Sequence, residues 1–166
     1  MEEIDKEIGK KVPEYEQVMN LQYLEMFFSE VMRMYPPSTR TNRKAMEAVD
    51  VGGYTIPKGV EVTVPIYAMH YDPDLWPDPE TFDPGRFSED NKKRRNPYSY
   101  MPFGHGPRSC IGMRLANLET KMALIRILQH FRLRLATQTE VPIELDNTSG
   151  GILRPKKPLF VNVEYR

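Results

Sequence analysis

Between Tyr71 and Ser109 the sequence sets down Pro73, Pro77, Pro79, Pro84, Pro97, Pro102 and Pro107, and this stretch constrains the fold more than any other. Proline lacks the N–H that helix interiors and central strands require. No regular element of ordinary length therefore crosses these residues, and a meander of this length is uncommon in a compact domain unless it serves a site. Trp76, Phe82, Phe87 and Phe103 are spaced along it, large apolar side chains that need a surface to pack against.

The flanking segments are periodic. Ile4 and Ile8 stand at helical spacing in a stretch too short to be stable alone. From Tyr15 to Met34, Val18, Leu21, Leu24, Phe27, Phe28, Val31 and Met32 recur every three or four residues, which predicts one long amphipathic helix. Pro36 and Pro37 stop it. Over residues 44–70 the turn signals Gly52-Gly53 and Pro57-Lys58-Gly59 separate Val- and Ile-bearing runs, predicting two or three short strands. A second long helix is expected from Ile111 to Phe131, apolar around most of its circumference and deeply buried in the complete fold. The tail alternates at Ile143 and Leu145, turns at Gly150-Gly151 and ends in Leu159–Val163, a hairpin-like strand pair. The fold class expected is mainly α with small β-sheets (α+β), in one domain of 166 residues.

Composition excludes several functions. Lys+Arg and Asp+Glu both total 23, so the electrostatic footprint of a nucleic-acid binder is missing. The basic run Lys92-Lys93-Arg94-Arg95, close to Pro97, reads as a solvated loop. One cysteine, Cys110, excludes a disulfide framework and any multi-cysteine zinc or iron–sulfur site. With no apolar run of membrane-spanning length and an acidic start, Met1-Glu2-Glu3-Ile4-Asp5, neither a membrane span nor a secretory signal is expected.

The informative segment is Phe103-Gly104-His105-Gly106-Pro107-Arg108-Ser109-Cys110-Ile111-Gly112. It places a lone thiol at the mouth of the second helix, where glycines let backbone amides approach the sulfur and the positive helix end favours a thiolate. Arg108 adds a cation able to hold a carboxylate nearby. A cysteine phosphatase would want an arginine six residues after the cysteine, where Ala116 stands. For a cysteine hydrolase nothing in the sequence orients His70, His105 or His130 as the base. A single axial thiolate ligand to haem iron uses every feature of the segment.

These residues resemble the haem-binding signature of the cytochrome P450 family, Phe-x-x-Gly-x-Arg-x-Cys-x-Gly, through Phe103, Gly106, Arg108, Cys110 and Gly112. Glu30 and Arg33 match the family's Glu-x-x-Arg, one helical turn apart. Pro84-Gly85-Arg86-Phe87 resembles its Pro-x-Arg-Phe segment, with Gly85 where an acid is common. The resemblance runs along essentially the whole chain and is strongest to the vertebrate family 3, subfamily A enzymes.

The resemblance implies that the chain is the C-terminal, proximal part of a single cytochrome P450 domain, without the N-terminal anchor and the distal oxygen-activating helix. Cys110 would be the iron's axial ligand and the catalytic group, its sulfur buried at the loop–helix junction. Phe103, Gly104, Arg108, Gly112, Ala116 and Arg43 would surround the haem, with Arg43 and Arg108 on its propionates. Glu30, Arg33 and Arg86 would form a buried triad pinning the meander. Pro37, Ser38, Thr39, Arg40 and the Gly150-Gly151-Ile152 segment would face the substrate. The implied activity is monooxygenation of lipophilic small molecules such as steroids and xenobiotics. Its electrons would come from NADPH through a flavoprotein reductase docking near Lys92–Arg95, and cytochrome b5 is a second partner. The implied location is the endoplasmic reticulum membrane. A thromboxane-synthase-like isomerase, or an inactive fragment that at most binds haem, is the alternative.

Overall fold

The computed structural model describes residues 1–146 and 151–166. Its helical side is built from α1 (Glu2–Glu7), α2 (Tyr15–Asn20), α3 (Gln22–Met34) and, much later in the chain, an 18-residue helix at Met113–His130. Ile4, Ile8, Val18, Leu21, Leu24 and Ile125 meet in one buried cluster. The single helix expected over Tyr15–Met34 is broken at Leu21, whose backbone is extended (φ −71°, ψ 100°). The apolar spacing survives the break because Leu21 still points into the core, at 2% exposure. The new helix start is also satisfied: the Glu3 carboxylate accepts the N–H groups of Tyr23 and Leu24 at 2.8 and 3.0 Å, two of the amides that a helix N-terminus leaves free.

Four strands follow where two or three were expected, beginning at Thr41 rather than after residue 44. β1 (Thr41–Lys44) and β4 (Glu61–Val64) pair antiparallel, with Thr41 opposite Val64. Between them β2 (Val49–Val51) and β3 (Tyr54–Ile56) form a hairpin turned by Gly52 and Gly53 at φ 57° and 85°. β1 escapes periodicity because its Asn42, Arg43 and Lys44 are all exposed. Ile66–His70, also within the region read as strands, is a short helix, α4.

The meander holds 3₁₀ turns at Pro84–Phe87, Pro97–Ser99 and Gly106–Arg108. The basic run is not a solvated loop: α5 (Glu89–Arg94) contains most of it, capped by the Ser88 hydroxyl. Arg95 is half-buried, its guanidinium 4.4 Å from the Trp76 ring centre and 4.5 Å from that of Phe87.

Met113–His130 becomes α6. Its buried positions are Lys121, Ile125 and Gln129, one i, i+4 stripe of which two members are polar. Lys121 pairs with Glu25, and the Gln129 amide donates to the carbonyls of Gly9 and Lys11. Leu115 and Ile127 remain exposed within this chain. α1 and α2 cover one of its sides. β5 (Phe131–Leu135) follows without a loop and pairs antiparallel with β8 (Val161–Tyr165), so the last strand returns to the end of α6. β6 (Leu145–Asp146) pairs with β7 (Arg154–Pro155); Gly150, in the expected turn, lies outside the described residues.

Candidate functional site

Glu30 and Arg33 leave α3 on its buried face, each with 0% exposure. Arg33 donates from Nε to Glu30 Oε2 and from Nη2 to Oε1, both at 2.8 Å. Arg86, from the 3₁₀ turn of the meander, brings Nε to 3.4 Å from Glu30 Oε1 and donates from Nη2 to the Asp78 carbonyl at 2.8 Å. The Asp83 N–H also donates to Oε1, at 3.0 Å. The structure thus brings the three expected residues together around one carboxylate. A buried pair of this kind is weak evidence of net stabilisation, but losing one partner leaves the other charge buried and alone. Gly85, the departure from the family pattern, donates its N–H to Asp83 Oδ1 at 2.8 Å.

Around this ion pair the aromatic side chains of the meander close up. Trp76, Phe87 and Tyr100 lie within 4.7–6.2 Å of one another, centroid to centroid. Arg33 sits 5.4 Å from the Trp76 ring centre and 5.7 Å from that of Tyr71, and the Tyr100 hydroxyl donates to the Ser29 carbonyl of α3. Burial pushes the phenols of Tyr71 and Tyr100 well above their usual range.

The Phe103–Gly112 segment is a loop with a tight inner frame. Gly104 and Gly106 take φ 72° and 77°, a region that other residues rarely adopt. The Gly104 N–H donates to the Met101 carbonyl, Ser109 to Gly106, and Cys110 to Phe103, at 2.8–3.0 Å. Gly112 caps α6, and a Cβ added there would stand 3.9 Å from the Cys110 sulfur. Cys110 is exposed, contrary to the burial expected at the loop–helix junction. The cause is local: from His105 to Ile111 every residue is exposed, so the thiol lies on the open side of its loop.

A hydrolase reading gains no base. His70 has both ring nitrogens engaged with backbone groups, His105 packs edge-on against Tyr98, and His130 is the last residue of α6. The other expected residues are placed as follows. Arg108 is exposed in its 3₁₀ turn and Ala116 is partly buried in the first turn of α6. Arg43 lies exposed on β1 and bonds within its own strand, to Thr41 Oγ1 and the Asn42 carbonyl. The two segments expected to face substrate are joined although far apart in sequence. Ser38 and Ile152 form an antiparallel bridge, the Thr39 N–H donates to the Gly151 carbonyl at 2.7 Å, and the Leu153 N–H donates to Pro37. Gly151, at φ 93°, would carry a Cβ 3.5 Å from Thr39 Oγ1. Ser38 Oγ donates to the Arg40 carbonyl, and Ile152 stands exposed at 62%.

The family model for cytochrome P450 matches residues 1–163. The chain belongs to the cytochrome P450 family. It is 45% identical over 99% of its length to cytochrome P450 3A27 of Oncorhynchus mykiss and 44% identical over 99% to cytochrome P450 3A12 of Canis lupus familiaris. To cytochrome P450 3A29 of Sus scrofa it is 43% identical over 93%. It spans about a third of the length of these curated relatives, 30–33%. Haem is the family's cofactor, and the donor set suits it. A lone exposed thiol, the exposed apolar side chains of Ile111, Met113 and Leu115 and the exposed cation Arg108 two residues before the thiol match a flat apolar ring with a soft metal-binding centre and acidic substituents.

Sequence reading missed His70 and Lys121. Neither carries a motif, and the one available signal is the four-residue spacing that puts His70 on the buried face of α4 with Ile66.

Proposed function

We propose that this chain carries the thiolate side of a haem monooxygenase site, with Cys110 as axial ligand of the iron. The observation that supports this reading above all is the framed, exposed Cys110 loop. Its one cysteine stands before the helix start, on a backbone set by two left-handed glycines. When bound, the haem supplies dioxygen activation, which an axial thiolate favours by pushing electron density toward O–O cleavage.

The chain's own residues have separable tasks in this reading. Cys110 would hold the iron, and the bond from its N–H to the Phe103 carbonyl fixes the backbone from which the side chain projects. Arg108 and Arg43 neutralise the propionates, and Phe103, Gly104, Gly112 and Ala116 line the ring. Glu30, Arg33 and Arg86 keep the meander against α3. Pro37–Arg40 with Gly151 and Ile152 form one edge facing a lipophilic small molecule of the steroid or xenobiotic kind. Lys92, Lys93 and Arg94 on α5 are the cations offered to an NADPH-dependent reductase or cytochrome b5; Arg95 is excluded by its place under Trp76 and Phe87. Attachment to the endoplasmic reticulum membrane belongs to the same reading, and among the described residues no helix is long and apolar enough to cross a membrane.

Reconstitution with haem tests the ligand. The reduced carbon monoxide complex of the chain should give the red-shifted, thiolate-type Soret band, and Cys110→Ser should lose it. A band that survives in Cys110→Ser overturns the assignment.

A further inference from the structure

His70 ends α4 with 0% exposure and belongs to none of the site residues the motifs supply. Its ring is tied at both nitrogens. Nε2 accepts the Met101 N–H at 3.1 Å, and Nδ1 lies 3.0 Å from the Arg33 carbonyl, to which it can only donate. The two contacts select one neutral tautomer, protonated at Nδ1. The His70 carbonyl in turn accepts from Arg33 Nη1 at 2.8 Å, and the Tyr100 ring stacks on the imidazole with centroids 5.5 Å apart.

Met101 is the root of the thiol loop. Met101 and Pro102 are buried, whereas the loop from His105 onward is exposed. From the root a short relay of backbone bonds runs outward: Gly104 N–H to the Met101 carbonyl, then Cys110 N–H to the Phe103 carbonyl. A buried backbone N–H must be answered, and at this root the answering group is the His70 ring, whose other nitrogen meets the Arg33 main-chain carbonyl while the His70 carbonyl holds the Arg33 guanidinium.

We propose that His70 is the positioning residue of the thiol loop: by accepting the Met101 N–H it fixes the loop's root to the buried ion pair and so sets where Cys110 stands. The consequence for the enzyme rests on Cys110 being the haem ligand, while the geometry does not depend on haem.

Two substitutions separate the ring nitrogens, because glutamine can bring an amide oxygen to the Nε2 position and asparagine reaches the Nδ1 position. Amide hydrogen exchange in the 166-residue chain reads the loop. His70→Asn should speed exchange at Met101, Gly104 and Cys110 about tenfold or more, the loss of one buried bond. His70→Gln should stay within about threefold of the parent. Equal acceleration in both variants, or in neither, overturns the proposal. Should both variants fail to fold, the parent decides: proton–nitrogen correlation spectra should show an imidazole protonated at Nδ1 alone, and a proton on Nε2 at neutral pH overturns it. The carbon monoxide spectrum keeps the two readings apart. An Asn/Gln split in a parent that gives no thiolate-type band rejects the ligand and retains the positioning role. A band without the split does the reverse.

Discussion

The stretch from Tyr71 to Tyr100 and the stretch from Met101 to Gly112 adjoin in sequence, lack long regular elements, and are held in opposite ways. The first is fixed from inside. Trp76 and Phe87 are buried, Arg33 and Arg95 lie over their rings, the Asp83 N–H donates to buried Glu30, and the Asp78 carbonyl accepts from half-buried Arg86. The second is fixed at its root and by its own turns, with its outer residues exposed. An irregular chain is thus fastened where buried charges answer its backbone, and left open around Cys110.

The comparison breaks most directly at Glu30. Glu30→Ala leaves the fully buried Arg33 guanidinium without its carboxylate and should cost about 3–5 kcal/mol, read as a fall in the urea midpoint. Cys110→Ser alters an exposed atom of the open loop and should leave that midpoint unmoved. Comparable shifts in the two variants would mean that the meander is not fastened by the ion pair.

Acid probes the junction between the stretches. Burial pushes the His70 imidazole down from 6.5 to about 4, helped by the charge of Arg33 and opposed by the bond to its carbonyl. The other titratable neighbours are Tyr100, stacked on the ring, and Glu30 behind Arg33. Because the folded value is depressed, the unfolded chain binds the proton more readily. Stability is therefore complete above pH 6.5 and declines as pH falls toward 4, by roughly 3 kcal/mol in all. Equilibrium unfolding at pH 7 and pH 4 should show a drop in the parent larger by that amount than in His70→Gln. An equal drop in both would place the acid sensitivity elsewhere.

How far the sequence disclosed these features depends on where each residue's partner lies. Cys110, with its glycines and Arg108, forms one local run that the residues themselves single out, whereas an acid and an arginine one turn apart are common on helix surfaces, and Glu30 with Arg33 became legible only through the Glu-x-x-Arg resemblance. Arg86 was placed through the Pro-x-Arg-Phe resemblance. His70, Lys121 and Arg95 were out of reach because what they touch is remote or unspecific. His70 answers backbone groups 37 and 31 residues away, Lys121 meets Glu25 across 96 residues, and Arg95 stacks on two rings. A polar residue whose partner is a distant backbone group leaves no pattern to read. The break at Leu21 was hidden for a related reason: apolar periodicity records which side chains are buried and is indifferent to a one-residue kink that keeps them so.

The finest separation of the two stretches uses the same residue type in each. Arg95 caps the faces of Trp76 and Phe87 at 4.4 and 4.5 Å, and burial pulls its guanidinium below the usual arginine range. It also donates to the Arg86 carbonyl, so it braces the turn that carries the third member of the ion-pair cluster. Removing it takes away two cation–aromatic contacts and the packing of an aliphatic stem, together about 1–2 kcal/mol. Arg108 stands exposed in its 3₁₀ turn, where its charge is hydrated and its stem covers little. Arg95→Ala should lower the urea midpoint in the haem-free chain and Arg108→Ala should not, while haem affinity should fall in Arg108→Ala. If Arg108→Ala destabilises the haem-free chain as much as Arg95→Ala does, the thiol loop is braced by its own cation and the contrast between a fastened meander and an open loop fails.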